Sequence, residues 1–166
     1  MPGGFSSGFS AGFGATVPDP TTSGLTDIRT AIITGLAARE AWNDVTLFKY
    51  PAGDRAERPS GFELGSIESA EHEDITLAGT THQASYTLNG DLWVSGAGAE
   101  DADFATVEAA ALTLLQDLQA WIVSVDHGKS AGVDTLDILD LVSWELNFTA
   151  APAAVIEFAL NVVEYI

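Results

Sequence analysis

His82-Gln-Ala-Ser-Tyr-Thr-Leu-Asn-Gly-Asp-Leu-Trp-Val-Ser95 admits two readings, and the choice between them decides the fold. Asn89-Gly90 is a preferred dipeptide for a two-residue hairpin turn. A turn there sets Leu88 opposite Asp91 and leaves both faces of the hairpin mixed. One uninterrupted strand instead places Ala84, Tyr86, Leu88, Leu92 and Val94 on one face, with Gln83, Ser85, Thr87, Asn89 and Asp91 on the other. A strand buried on one face needs that segregation, so a single long strand is expected, with Gly90 as a site for a bulge. Trp93 breaks the alternation, being large and apolar on the otherwise polar side. It reads as an exposed interface residue, with burial in a second core against the amino-terminal helix as the other possibility.

Downstream, Gly96-Ala97-Gly98-Ala99 forms a joint, and Glu100-Asp101-Ala102-Asp103 brings negative charge to a helix start, where the helix dipole favours it. Phe104, Val107, Ala111, Leu114, Leu118, Trp121 and Val125 then recur at alternating steps of three and four. This stripe predicts a helix of about 24 residues, roughly 36 Å long, lying on the sheet, and His127-Gly128-Lys129 supplies its stop. Val142, Trp144, Leu146 and Phe148 alternate with Ser143, Glu145 and Asn147. Beyond the turn region Thr149-Ala150-Ala151-Pro152, Ile156, Phe158, Leu160 and Val162 share a face, which predicts an antiparallel hairpin. Trp121 and Trp144 therefore read as core.

Upstream, Leu25, Ile28, Ile32 and Leu36 predict an amphipathic helix reaching about Ala41. Val45 to Tyr50 reads as a strand closed by Pro51, and Ala52 to Pro59 as a polar loop. Phe62 to about Ser69 is a second strand. Glu71-His72-Glu73-Asp74 follows as a solvated acidic turn, and Ile75 to Leu77 as a weak third run. The first 23 residues are different in kind: Phe-Ser-x-Gly at Phe5 and Phe9, begun again at Phe13, then a Pro/Thr/Ser linker. Gly and Ser make such an arm flexible, and the spaced phenylalanines suit anchoring on another surface. The expected organisation is an arm and linker over 1–23 and one domain over 24–166. Its class is α+β: a mainly antiparallel sheet of four to five strands with two helices packed on one face.

The 166 residues are 46% hydrophobic, enough for one core without a metal or disulfide, and there is no cysteine. No apolar run approaches the roughly 18 to 20 residues of a membrane-spanning helix, and no basic segment introduces an export signal. The formal charge is −18, unevenly spread: residues 59–166 hold eighteen acidic side chains and one basic one, Lys129. Such a surface repels nucleic acid and anionic membranes. It is compatible with lining a path that DNA slides through, and equally with solubility in a high-salt cell.

Catalytic signals are weak. Two G-x-S-x-G matches at Gly4–Gly8 and Gly8–Gly12 sit in low-complexity sequence with no strand before them, where a nucleophile elbow has no support. His72, His82 and His127 show no metal-ligand spacing. Ser124, Asp126 and His127 crowd one helix end, whereas a triad converges from separate elements. Gly96 to Asp101 lacks the lysine of a phosphate loop and carries acids where phosphate would sit. Asn147-Phe148-Thr149 is a sequon by chance. No carboxylate pair stands out for glycoside chemistry. No catalytic residue, metal or cofactor is expected, and the chain does not read as an enzyme.

Taken together, several passages resemble the tail terminator (tail completion, minor tail) proteins of long-tailed viruses. Leu25-Thr-Asp-Ile-Arg-Thr-Ala-Ile-Ile-Thr-Gly-Leu is similar to their first helix, and Val45-Thr-Leu-Phe-Lys-Tyr-Pro to the following strand and proline turn. Ser85-Tyr-Thr-Leu-Asn-Gly-Asp-Leu-Trp-Val-Ser-Gly looks like their long central strand, before the helix Phe104 to Val125. Ala154 to Tyr165 resembles their last strand. The resemblance covers about Leu25 to Ile166, rests on pattern and order, and brings no catalytic residues. It implies a virion protein, assembled in the host cytoplasm, that forms a homo-oligomeric ring, hexameric in that family, at the head-tail interface. The partners implied are the tail tube protein and the head connector or another neck protein, with DNA only as passing cargo and no membrane. Phe5, Phe9, Phe13 and Trp93 are then the candidate protein-interface residues. The alternatives are another neck component (connector, adaptor or stopper) and a small acidic ligand-binding module.

Overall fold

The structure is a computed structural model that describes residues 25–53, 59–74, 82–98, 100–125, 131–149 and 152–165. The phenylalanine arm, the run Ile75 to Leu77 and the helix stop at His127 lie outside the described residues.

The chain runs through α1 (Leu25–Ala37), a 3-10 turn (Glu40–Trp42), β1 (Thr46–Phe48), β2 (Ser60–Asp74), β3 (His82–Ser95), α2 (Asp101–Ser124), β4 (Leu136–Thr149) and β5 (Ala153–Tyr165). This is an α+β fold with one five-stranded sheet in the order β1-β2-β3-β5-β4. β3 is the single strand that segregation of its faces calls for. It pairs antiparallel with β2 from Ser60↔Val94 to Asp74↔His82, and with β5 from Gln83↔Tyr165 to Ser95↔Ala153. β4 and β5 form the expected antiparallel hairpin, closing at Thr149↔Ala153.

The sheet is mixed, because β1 runs parallel to β2. A parallel partner needs a connection of about a dozen residues, and the stretch from Lys49 to Pro59 is long enough to carry the chain back. β2 is longer than its hydrophobic pattern suggests. Glu71-His72-Glu73-Asp74 belongs to the strand and pairs with Ser85 to His82, which corrects the expected acidic turn. The bulge also moves: β2 carries an extra residue between Leu64 and Ile67, opposite Leu88 to Gly90, so the irregularity belongs to β2 and not to Gly90.

The face of β3 with Ala84, Tyr86, Leu88, Leu92 and Val94 is buried with Ile156, Phe158, Leu160 and Val162 of β5. α2 lies against β3, β5 and β4, and its predicted stripe is buried at Val107, Ala111, Leu114, Leu118 and Trp121, joined by Leu115 and Ile122. A capping box starts the helix: the Glu100 N–H donates to Asp103 Oδ2 at 3.1 Å, and the Glu100 side chain answers toward the Asp103 backbone. α1 contributes Ile28, Ile32 and Leu36 to the same cluster, with its main packing against β1, the 3-10 turn and α2. Gly35 is the close-approach point, since a Cβ there would enter the Trp121 ring.

Two polar clamps hold α1 in place. Asp117 of α2 accepts from Arg39 through Nε at 2.6 Å and Nη2 at 2.7 Å, and from Trp42 Nε1 at 2.8 Å. The Arg39 hydrogen bonds hold the Asp117 carboxyl below its usual range, against the opposing effect of partial burial. The second clamp is Arg29, only 6% exposed. β1 pairs with β2 only as far as Phe48↔Glu63, and the carbonyls of Leu64 and Gly65 come next. Arg29 Nη1 donates to Lys49 O at 3.0 Å and Leu64 O at 3.1 Å, and Nη2 to Gly65 O at 2.6 Å. Its guanidinium thus takes the place of a continued strand, with the Tyr50 ring 5.1 Å away completing its surroundings.

Candidate functional site

β4 is an edge strand: among the described residues nothing pairs with its outer side. Its register puts Trp144 opposite Phe158, Leu146 opposite Ile156 and Phe148 opposite Ala154, so all three belong to the helix-side face. Only Leu146 reaches the core cluster. Trp144 is 51% exposed and Phe148 47%, and Val142, set in a β4 bulge between Leu141 and Ser143, is 57% exposed. The expectation that Trp144 is core is therefore corrected. Alternation assigned it to the right face, but half of its surface there is left uncovered. Phe148 is met edge-on by Phe104 of α2, with ring centroids 5.6 Å apart. The result is a half-exposed aromatic pair, four residues apart, on a strand whose outer edge has no partner strand among the described residues.

Trp93 is the reverse case. It was expected to be exposed at an interface, and it is 4% exposed. It lies on the face opposite the main core, stacked on Phe48 of β1 with ring centroids 6.2 Å apart. Gly61, its cross-strand partner, leaves the space its ring occupies. The small second core proposed for it exists, built from β1 rather than the amino-terminal helix. Phe5, Phe9 and Phe13 lie outside the described residues.

On the same outer face, register aligns four carboxylates across the sheet: Glu63 with Asp91, Asp91 with Glu157, and Glu157 with Glu145. Glu63 is buried at the end of the row and accepts the Ala52 N–H at 2.8 Å. The other three help line a depression of about 440 Å³, together with Glu68, Asn89 and Ser143. Like charges directly opposite on neighbouring strands are unfavourable taken alone. Chemically it repels phosphate. Among the described residues no group of three or more His, Asp or Glu side chains is arranged to hold a metal ion.

A further acid, Glu164, is fully buried on the core side of β5 and accepts the hydroxyl of Tyr86. It ties β5 to β3 from within. His72 and His82 take part in the β2–β3 ladder through their backbones, and His127 lies outside the described residues, as does Asp126. No helix among the described residues is long and apolar enough to cross a membrane.

The exposed aromatics and the carboxylate row were missed at the sequence level for one reason. Each depends on strand register and on which strand ends up at the edge, and neither is a local property. No family model matches the chain, and no curated protein matches it.

Proposed function

We propose that this protein is a structural subunit of a long-tailed virus that forms a ring at the head-tail interface, ends the tail tube and joins it to the head connector. One observation carries this reading beyond the resemblance of element order: β4 presents a 14-residue edge with Val142, Trp144 and Phe148 uncovered. Ring subunits meet head to tail through two different complementary patches, and an apolar edge strand is well suited to be one of them. The carboxylate row Asp91, Glu157 and Glu145 suits a wall that DNA slides past, because like charge keeps the polyanion from adhering. Six copies are the number that the resemblance implies.

The two neck roles differ in what their loss leaves behind. Removing this chain from a virus that encodes it is expected to leave filled heads unjoined to tails, together with tail tubes of uncontrolled length. Tails of normal length beside unjoined heads would point to a connector, adaptor or stopper. Joined, infectious particles would remove the assembly role altogether.

A further inference from the structure

We infer that the edge of β4 is the receptor for the amino-terminal arm of a neighbouring copy, which adds residues 4–15 to the sheet as a sixth strand. The choice of a neighbouring copy over the same chain rests on the ring-subunit reading above. The rest comes from matching the two partners.

In an extended segment, residues of one parity share a face. The odd positions of the arm are Phe5, Ser7, Phe9, Ala11, Phe13 and Ala15, and the even positions are Gly4, Ser6, Gly8, Ser10, Gly12 and Gly14. As a strand the arm therefore has one face of phenylalanines separated by small residues and one face of only Gly and Ser. Its phenylalanines repeat every four residues, about 13 to 14 Å in a strand. Trp144 and Phe148 of β4 have the same spacing on one face and are half exposed. Laid along β4, the arm sets phenylalanines beside them on the helix side as cross-strand aromatic pairs. Its Gly/Ser face then lies beside Ser143, Glu145 and Asn147 on the other side, where hydroxyls and small residues suit a polar, acidic surface. Backbone hydrogen bonds supply the remainder, as in other cases of strand addition.

Charge decides against the main competitor, a second copy's β4. That strand carries Asp137, Asp140 and Glu145, and pairing two such edges brings like charges together. The first eighteen residues hold no charged side chain, so the arm approaches the acidic domain without this repulsion.

Trp144 is also the reporter. Trp42, Trp93 and Trp121 are 2%, 4% and 8% exposed, so Trp144 is the one tryptophan whose surroundings change when β4 is covered. The test is tryptophan emission of the full chain across a concentration series, with self-association followed by sedimentation. The expected result is a blue shift as concentration rises. A Phe5→Ser/Phe9→Ser/Phe13→Ser variant should lack the shift and associate roughly thirtyfold more weakly or worse, the scale for losing aromatic anchors. Trp144→Ser should weaken association similarly, and at a dilution where the wild-type chain is dissociated the triple-serine variant should keep the wild-type thermal midpoint. A shift that survives in the triple-serine chain would overturn the inference in favour of a second copy's domain. A shift independent of concentration would place the arm on its own chain, and no shift at all would leave β4 facing solvent; either also overturns it. The outcome is separable from the ring reading, since a chain located at the head-tail joint with a silent Trp144 removes only the arm's role.

Discussion

Arg29→Met is expected to lower the free energy of unfolding by about 3 kcal/mol, a large share of the stability of an ordinary domain. The substitution keeps much of the buried stem and removes the donors. Three carbonyls then lose their partner: Lys49 O, Leu64 O and Gly65 O. Hydrogen bonds from a charged donor contribute roughly 1.5 to 3 kcal/mol each, and a buried acceptor left unsatisfied costs about 1 to 3 kcal/mol. Entry of water recovers part of this, which is why the expected loss is well below the sum. Arg29→Lys should recover little, because an ammonium is a point donor and these acceptors are divided between β2 and the residue that follows β1. Urea unfolding measures the effect as a lower midpoint at unchanged slope. A loss under about 1 kcal/mol would mean that the guanidinium does not stand in for the missing strand pairing.

Gly90→Ala is the second large effect, about 2 to 3 kcal/mol destabilising. Gly90 faces the core between Leu64 and Phe158. A Cβ there would enter the Phe158 ring and lie 2.7 Å from the carbonyl oxygen of Glu63. The ring can be displaced only by disturbing its stack on Phe62, with centroids 5.3 Å apart, and the carbonyl belongs to the strand ladder. Gly53→Ala is the control: nothing lies within 4 Å of a Cβ built there, so its effect should stay within about 0.5 kcal/mol. Equal midpoints for the two variants in thermal unfolding would show that Gly90 is kept for some other reason than space.

The same glycine shows what the sequence made legible. Asn89-Gly90 is a turn signal taken alone, and only the segregation of apolar residues on both sides of it argues for a continuous strand. That argument succeeds because burying one face of β3 against β5 and α2 outweighs a local turn preference. The α2 stripe was legible for a related reason: a 24-residue helix repeats its period often enough to fix which face is buried. The parallel placement of β1 was not, since three residues carry no signal of direction. Trp93 and Trp144 changed places relative to expectation. Periodicity assigns a face but does not say whether another element covers it. Phe48 and Gly61 give Trp93 a buried place on the polar face, whereas Trp144 stays half exposed on the apolar face. The carboxylate row needed the register of four strands, and two bulges in β2 and two in β4 help set that register.

Gold labelling of this chain on intact particles, viewed by electron microscopy, tests the proposed role most directly. A protein that ends the tail tube and meets the head connector should give a single cluster of label at the joint between head and tail. Label spread along the tail or gathered at its tip would contradict that role, as would particles that carry no label at all.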